Sequence, residues 1–525
     1  MNRIITSVLF GLVGLNAVIM ADPSRPRLVV GIVVDQLRTD YVEYLKNLFG
    51  DKGFNRLMKE GVYMRDIDFK ASDLDAVSAT AMLYTGNYPN ATGVPSAVVC
   101  RDGGGGLTMP LEDKTAIGNF TNETFSPVAL RLSTLSDEVK IDGAGVGAVY
   151  AIAPDPQQAI IMAGHAGNCA VWLNDNTGKW ATSTYYHDSP QAVSTRNYNH
   201  PLSARVDTMQ WKPSLSLDKY PGLPAQKKAY PFRYTFPGSD REVYRRLIAS
   251  PMVNTEITDL AIDILDGLNL GRRGEAIDML NVAYTAAPFK YASDSDYRLE
   301  LEDSYLRLDS QIGRLFDAID KKVGLENTLI YLSSTGYYED TLGEDAAFRI
   351  PTGEFSVKRA TSLLNSYLSA KYGNADYIDS YYDGHLYLDH AVIGQKKLTA
   401  TEVADDARAF LCKMSGVADA YTLPEILGRG SDALEGLRLA TDPKACGDIY
   451  IEYTPGWTVT DDLRYPEVKK QIRSSMCLTP AFILAPGVAP KVIDATVEAV
   501  RIAPTVSSAL RIRAPNGVAE RPITL

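Results

Sequence analysis

Leu28-Val29-Val30-Gly31-Ile32-Val33-Val34-Asp35-Gln36 is the stretch that decides the fold. Its first seven residues are uncharged, mostly β-branched and show no polar alternation. That pattern fits a strand buried on both faces, as in the middle of a parallel sheet. The run stops at Asp35-Gln36, where the strands of an open α/β sheet meet the ligand crevice. Working outward, Gly145–Ile152, Met279–Tyr284 and Thr328–Leu332 read as further buried strands. Gly53–Gly61 reads as a helix with its glycine stop. Asn254–Leu268 carries Ile257, Leu260, Ala261, Ile264 and Leu265 on one stripe, and Leu299–Val323 reads as a long amphipathic helix. Strands alternating with helices predict an α/β fold with a central, mostly parallel sheet flanked by helices.

Two stretches break this rhythm. Residues 168–234 are rich in Tyr, Trp, Pro, Asn and Ser. Residues 340–450 carry their own helix signals at Val357–Tyr372 and Thr401–Met414. Both are expected to be insertions forming a cap on a single elaborated domain, residues 22–525, with the core resuming near Ile449.

The extreme N-terminus reads as a signal peptide, residues 1–21. Arg3 supplies the positive end, an apolar run extends from Ile4 to about Met20, and Ala21 precedes the cleavage point at Asp22. A periplasmic or secreted protein with no transmembrane anchor after cleavage is expected. An uncleaved anchor is the alternative, and no other segment is apolar for long enough to span a bilayer. The net charge of −11 argues against a nucleic-acid partner, which needs clustered Lys and Arg. None of the five cysteines forms a C-x-x-C pair, which excludes a zinc ribbon. Export permits disulfides, and Cys412 with Cys446 is one candidate pair.

Several segments, in order, carry a resemblance. They are Val33-Val34-Asp35-Gln36, Tyr84-Thr85-Gly86-Asn87-Tyr88-Pro89, Ala163-Gly164-His165, Glu302–Asp309, Pro455-Gly456-Trp457 and Ala503-Pro504-Thr505. Together they resemble the alkaline phosphatase superfamily, in the branch of nucleotide pyrophosphatase-type phosphodiesterases and the large periplasmic alkaline phosphatases of Bacteroidota-type bacteria. The resemblance implies phosphate-ester hydrolysis by a Thr or Ser nucleophile and two zinc ions. The metals lower the nucleophile's pKa and neutralise developing charge.

Placed on this sequence, the implied machinery is mostly missing. Asp35 keeps the first carboxylate position, as a vestigial ligand or as a cap on the following helix. Ala76 stands at the nucleophile position, and a methyl group cannot attack phosphorus. Ser78 and Thr80 are the nearby hydroxyls that could substitute, or could serve as helix N-terminal acceptors. Asp155 and Gln157 stand where phosphate-holding cations are implied. The remaining ligand positions hold Pro288, Ala292, Thr335, Gly336 and Leu478, so five of six implied ligands are absent. His165 is expected to be a packed, hydrogen-bonded residue. Asp389-His390 mimics the missing pair but lies inside the second insertion, with His385 nearby. The histidine count is independent of alignment: there are five, none after residue 390 and none between His200 and His385.

Without cations, each carboxylate facing a bound phosphate costs roughly 4 kcal/mol at a separation of about 4 Å and an effective dielectric of about 20. No bound cofactor is therefore expected. The expected function is that of a catalytically inactive pseudoenzyme kept for binding or assembly in the cell envelope. Its partner would be an envelope protein, a glycan or a small ligand. The aromatics Tyr185, Tyr186, Trp211, Tyr230 and Tyr234 are either a contact surface or packing. The alternative is a metal-dependent phosphomonoesterase or phosphodiesterase with a rebuilt site using Asp35, Ser78, Thr80 and Asp389-His390.

Overall fold

The structure, a computed structural model, describes residues 25–100, 106–292, 296–339, 351–428, 430–462, 469–472 and 477–525. The expected signal segment lies outside the described residues. Among those described, no helix is long and apolar enough to cross a membrane.

Leu28–Asp35 is a strand at the centre of a ten-stranded sheet. It pairs in parallel with Asp278–Thr285 on one side and Thr328–Ser334 on the other. Val149–Ala153 and then Cys169–Leu173 continue the parallel order. Beyond them lie antiparallel Trp180–Ser183 and the short edge Gly118–Asn119. On the other flank, Thr328–Ser334 is followed by antiparallel Ala481–Leu484, then Val62–Met64 and Lys491–Ile493.

Every residue from Leu28 to Val34 is buried, which is why the run carries no polar alternation. Gly31 is obligatory for another reason. A Cβ there would fall 2.5 Å from Asn281 Oδ1 and from the Tyr331 hydroxyl. Asn281 is itself fully satisfied at this depth: it accepts from the Tyr84 hydroxyl at 2.9 Å and donates to Met162 O at 2.9 Å.

The 25-residue helix Arg298–Lys322 uses its acids to hold other segments. Asp309 accepts from Gly50 N and Phe54 N, both at 2.8 Å. Asp303 accepts from Trp211 Nε1 at 2.7 Å and the Tyr220 hydroxyl at 2.7 Å. Lys227 and Glu300 form a 2.6 Å ion pair with almost no solvent contact. Of the two roles left open for the aromatics, packing holds for most of them. Trp211, Tyr186 and Tyr234 are buried, and Tyr230 is 85% exposed.

Three expectations need correction. Cys169–Leu173 and Trp180–Ser183 fall inside the stretch read as the first insertion, yet they belong to the main sheet. Their short apolar runs are hidden in polar, aromatic surroundings. Ile449–Tyr453 does not resume the core. It joins Ile378–Tyr382, His385–Leu388 and Val417–Thr422 in a separate four-stranded sheet. Its burial alternates along the strand, the mark of a sheet wet on one face. The central sheet resumes only at Ala481. Cys412 and Cys446 are unbridged: Cys412 is exposed and faces Asp419, while burial pushes the Cys446 thiol up to about 12.

The second insertion has its own apolar core around Leu364, Leu386, Leu411 and Ile451. It meets the main domain through Arg131–Asp442, at 2.6 Å, and His385–Asp73, at 3.2 Å. Asp73 lies in the loop leading to the helix Ala76–Thr85. The insertion therefore sits as a cap at the carboxyl ends of the central strands.

Candidate active-site crevice

Asp35 ends the central strand. Its Oδ1 accepts from the Tyr337 hydroxyl at 2.7 Å and from Thr335 Oγ1 at 3.1 Å. Thr335 Oγ1 in turn accepts from Gln36 N at 2.9 Å. Gln36 adopts φ +58°, and its side chain accepts from Glu339 N at 3.0 Å. Asp35 is not the helix cap that the sequence allowed. The next helix, Thr39–Tyr44, starts after Arg38 with no side-chain cap.

Burial pushes the Asp35 carboxyl up to about 6, while the Tyr337 hydroxyl holds it down. Removing that hydroxyl in a Tyr337→Phe variant is expected to raise the Asp35 pKa above about 6. Carboxyl carbon NMR through a pH titration reads this directly. An unchanged midpoint would mean that the phenol does not serve the carboxylate.

Ala76 is the first residue of the helix Ala76–Thr85, with Asp75 as N-cap. The Asp75 side chain accepts from Val77 N at 3.0 Å, Ser78 N at 2.8 Å and Ser96 Oγ at 3.1 Å. Ser78 closes the capping box by accepting from Asp75 N at 3.1 Å. Thr80 Oγ1 donates to Ala76 O at 2.6 Å and accepts from Gln158 Nε2 at 3.0 Å. Both hydroxyls are fully buried. They hold the helix start together and are not presented to a substrate.

Asp155 caps the helix Pro156–Ala163 through Gln158 N at 2.9 Å, and burial pushes it up to about 6. Gln157 donates to Ala97 O at 2.9 Å. Burial raises Asp75 as well. Three carboxylates that already resist ionisation would be driven further towards neutrality by a phosphate dianion.

The other implied ligand positions follow the strand ends. Pro288 and Ala292 come after Asp278–Thr285, and Thr335 and Gly336 follow Thr328–Ser334. Leu478 is 47% exposed and contributes only its carbonyl, to Thr39 N at 2.9 Å. At Gly336, φ is +76° and a Cβ would lie 2.0 Å from the Phe69 ring. The Phe69 ring lies against Gly336, and the Tyr337 hydroxyl lies against Asp35. The sequence reading named neither residue. Tyr337 directly follows the implied ligand positions Thr335 and Gly336, which is the local hint the sequence held.

Three of the five histidines, His165, His385 and His390, are paired with carboxylates. His165 Nδ1 pairs with Asp137 at 2.9 Å, and its Nε2 meets Leu130 O at 3.2 Å. His390 Nε2 pairs with Asp448 at 2.8 Å, and Asp389 caps its own helix through Val392 N at 2.9 Å. Among the described residues, no group of three or more His, Cys, Asp or Glu is placed to hold a metal ion. The donor set at the crevice does not fit two zinc ions, because Pro, Ala, Gly and Leu side chains offer no ligand atom.

The doubly flanked, mostly parallel sheet, with its crevice at Asp35 and Ala76, defines an alkaline-phosphatase-like protein. The chain belongs to the type I phosphodiesterase / nucleotide pyrophosphatase family, whose profile matches residues 29–475. It is 28% identical over 522 residues to alkaline phosphatase PafA of Elizabethkingia meningoseptica, covering 95% of this chain and 94% of that one. It is 25% identical over 521 residues to alkaline phosphatase PhoV of Synechococcus elongatus, covering 95% and 93%. The crystal structure of wild-type PafA superposes with a TM-score of 0.82 at 26% identity, covering 95% of this chain and 98% of that one.

Proposed function

We propose that this chain is a phosphatase-fold protein without phosphatase chemistry, exported to the cell envelope and kept for binding or assembly. The observation that carries the reading is the state of Asp35. Its carboxylate is held by two neutral hydroxyls, Tyr337 and Thr335, and Ala76 stands at the head of the helix that would bear the nucleophile. Metal-free attack forfeits the fall in the pKa of a bound oxygen from about 15.7 to about 7 that zinc gives water. No side chain placed at this crevice replaces that gain.

The test is direct. The full chain is expressed with its leader, purified, equilibrated with zinc and dialysed. Metal content is then measured by mass spectrometry, and hydrolysis of 4-nitrophenyl phosphate and bis(4-nitrophenyl) phosphate is followed. Background metal and background hydrolysis are expected. Stoichiometric zinc together with turnover of either ester would overturn the reading in favour of a rebuilt hydrolase. N-terminal sequencing of the same material is expected to begin at Asp22, and an intact leader in the membrane pellet would overturn the export reading.

A further inference from the structure

We infer that His165 is a doubly donating imidazolium that fastens the loop bearing Arg131, and through Arg131 the cap, and that the fastening lets go as pH rises. Both ring nitrogens face acceptors. Nδ1 lies 2.9 Å from Asp137 Oδ2, and Nε2 lies 3.2 Å from Leu130 O. A carbonyl oxygen can only accept, and so can an ionised carboxylate. A neutral imidazole carries one N–H, so it would leave a lone pair facing one of the two oxygens. The surroundings keep Asp137 ionised. Burial opposes its charge, but His165, Thr134 N at 2.8 Å and Ala166 N at 2.8 Å hold the carboxyl below the usual carboxylate range. Gly164, at φ +71°, lets the turn bring His165 in. A Cβ there would collide with Thr134 Oγ1 and lie 2.7 Å from Asp137 Oδ1.

Leu130 is followed by Arg131, whose guanidinium pairs with the cap's Asp442 at 2.6 Å, and Asp442 is only 3% exposed. The His165 proton thus ties down the segment that holds the cap. Leu130 N to Pro127 O, at 2.8 Å, and Arg131 N to Thr92 O, at 2.9 Å, tie the same segment, so the imidazolium adds to an existing hold. About one-third of the His165 side chain is exposed, which lets solvent protons reach the ring. The charged group facing it is Asp137, from the helix Leu135–Asp142. The loop after Trp180–Ser183 offers the neutral Tyr185, which donates to His165 O at 3.1 Å. Glu138, one residue on, is taken up by Arg513 at 2.8 Å and Ser133 at 2.7 Å. The hydrogen bond to Asp137 raises the His165 pKa above the ordinary imidazole value, and burial opposes that rise. The contribution to stability is therefore complete below the ordinary imidazole pKa and is lost as pH rises through the raised folded value.

Nitrogen NMR of the histidine-labelled wild type reads the ring directly, with the other four histidines assigned from single His→Gln variants. Both His165 nitrogens are expected to carry protons at about pH 6, and one proton is expected to leave with a midpoint above about 6.5. A midpoint at or below that value would overturn the inference. Hydrogen exchange on the intact protein tests the link to the cap. At about pH 6, His165→Gln is expected to exchange about tenfold faster than the wild type in 129–133 and 440–446, because hydrogen bonds from a charged group are lost. At about pH 9 the two proteins should match, since the wild type has then shed its proton. An equal gap at both pH values would mean that the ring acts by shape alone, and no gap at about pH 6 would break the link to the cap. Either result overturns the inference.

Discussion

Gly336→His, the substitution that reinstates an implied zinc ligand, is expected to destabilise the fold strongly instead of restoring a site. Two costs add. The backbone sits at φ +76°, a left-handed conformation that costs a residue with a Cβ about 1–2 kcal/mol. The new Cβ would also fall 2.0 Å from Cδ2 of Phe69. Phe69 is 4% exposed, so its ring has little room to move, and overpacking of this kind costs about 1–3 kcal/mol. A total of about 2–5 kcal/mol should appear as a lower urea midpoint with an unchanged slope. Gly336→Ala should already incur most of it, because both terms arise at the Cβ. In the background of Phe69→Ala, the same change should lose its steric part and keep only the backbone part. A Gly336→His protein as stable as the wild type would mean that the crevice is roomier than described here.

The second large effect lies away from the crevice. Lys227→Met is expected to cost about 3–5 kcal/mol, because it leaves Glu300 charged and without its ammonium partner. The pair is 2.6 Å apart and only 3% and 1% exposed. The Tyr234 hydroxyl, at 3.0 Å from Glu300 Oε1, cannot compensate a full charge. The double variant Lys227→Met, Glu300→Leu should recover most of the loss, since replacing both members of a buried pair by apolar groups is often nearly neutral. Urea denaturation of the four proteins in the cycle measures the coupling. A single variant within about 0.5 kcal/mol of the wild type would show that water reaches Glu300.

Both effects bear on how this scaffold holds its shape. The aromatic insertion is anchored by Glu300 and Asp303 on the long helix, and the cap meets the main domain through Asp73 and Asp442. Carboxylates therefore carry much of the tertiary wiring, and each needs a named donor or cation. On the reading proposed above, wiring of this kind holds the shape that a binding role requires.

The sequence determined the middle of the sheet and the residue types at the implied ligand positions. Leu28–Val34, Met279–Tyr284 and Thr328–Leu332 were legible because burial on both faces demands an unbroken apolar run. That signature is local, and no partner is needed to read it. The absent ligands were legible for an equally local reason: alanine, proline, glycine and leucine have no atom that can coordinate zinc or attack phosphorus, wherever they point. The tertiary structure alone decided what lies against these positions. The Tyr337 hydroxyl on Asp35, the Phe69 ring over Gly336 and the His385–Asp73 pair join segments hundreds of residues apart. Nothing in the local pattern marks such pairs, because steric fit and charge pairing act through space. The same holds for Ile449–Tyr453, whose composition suits either sheet and whose neighbours chose between them.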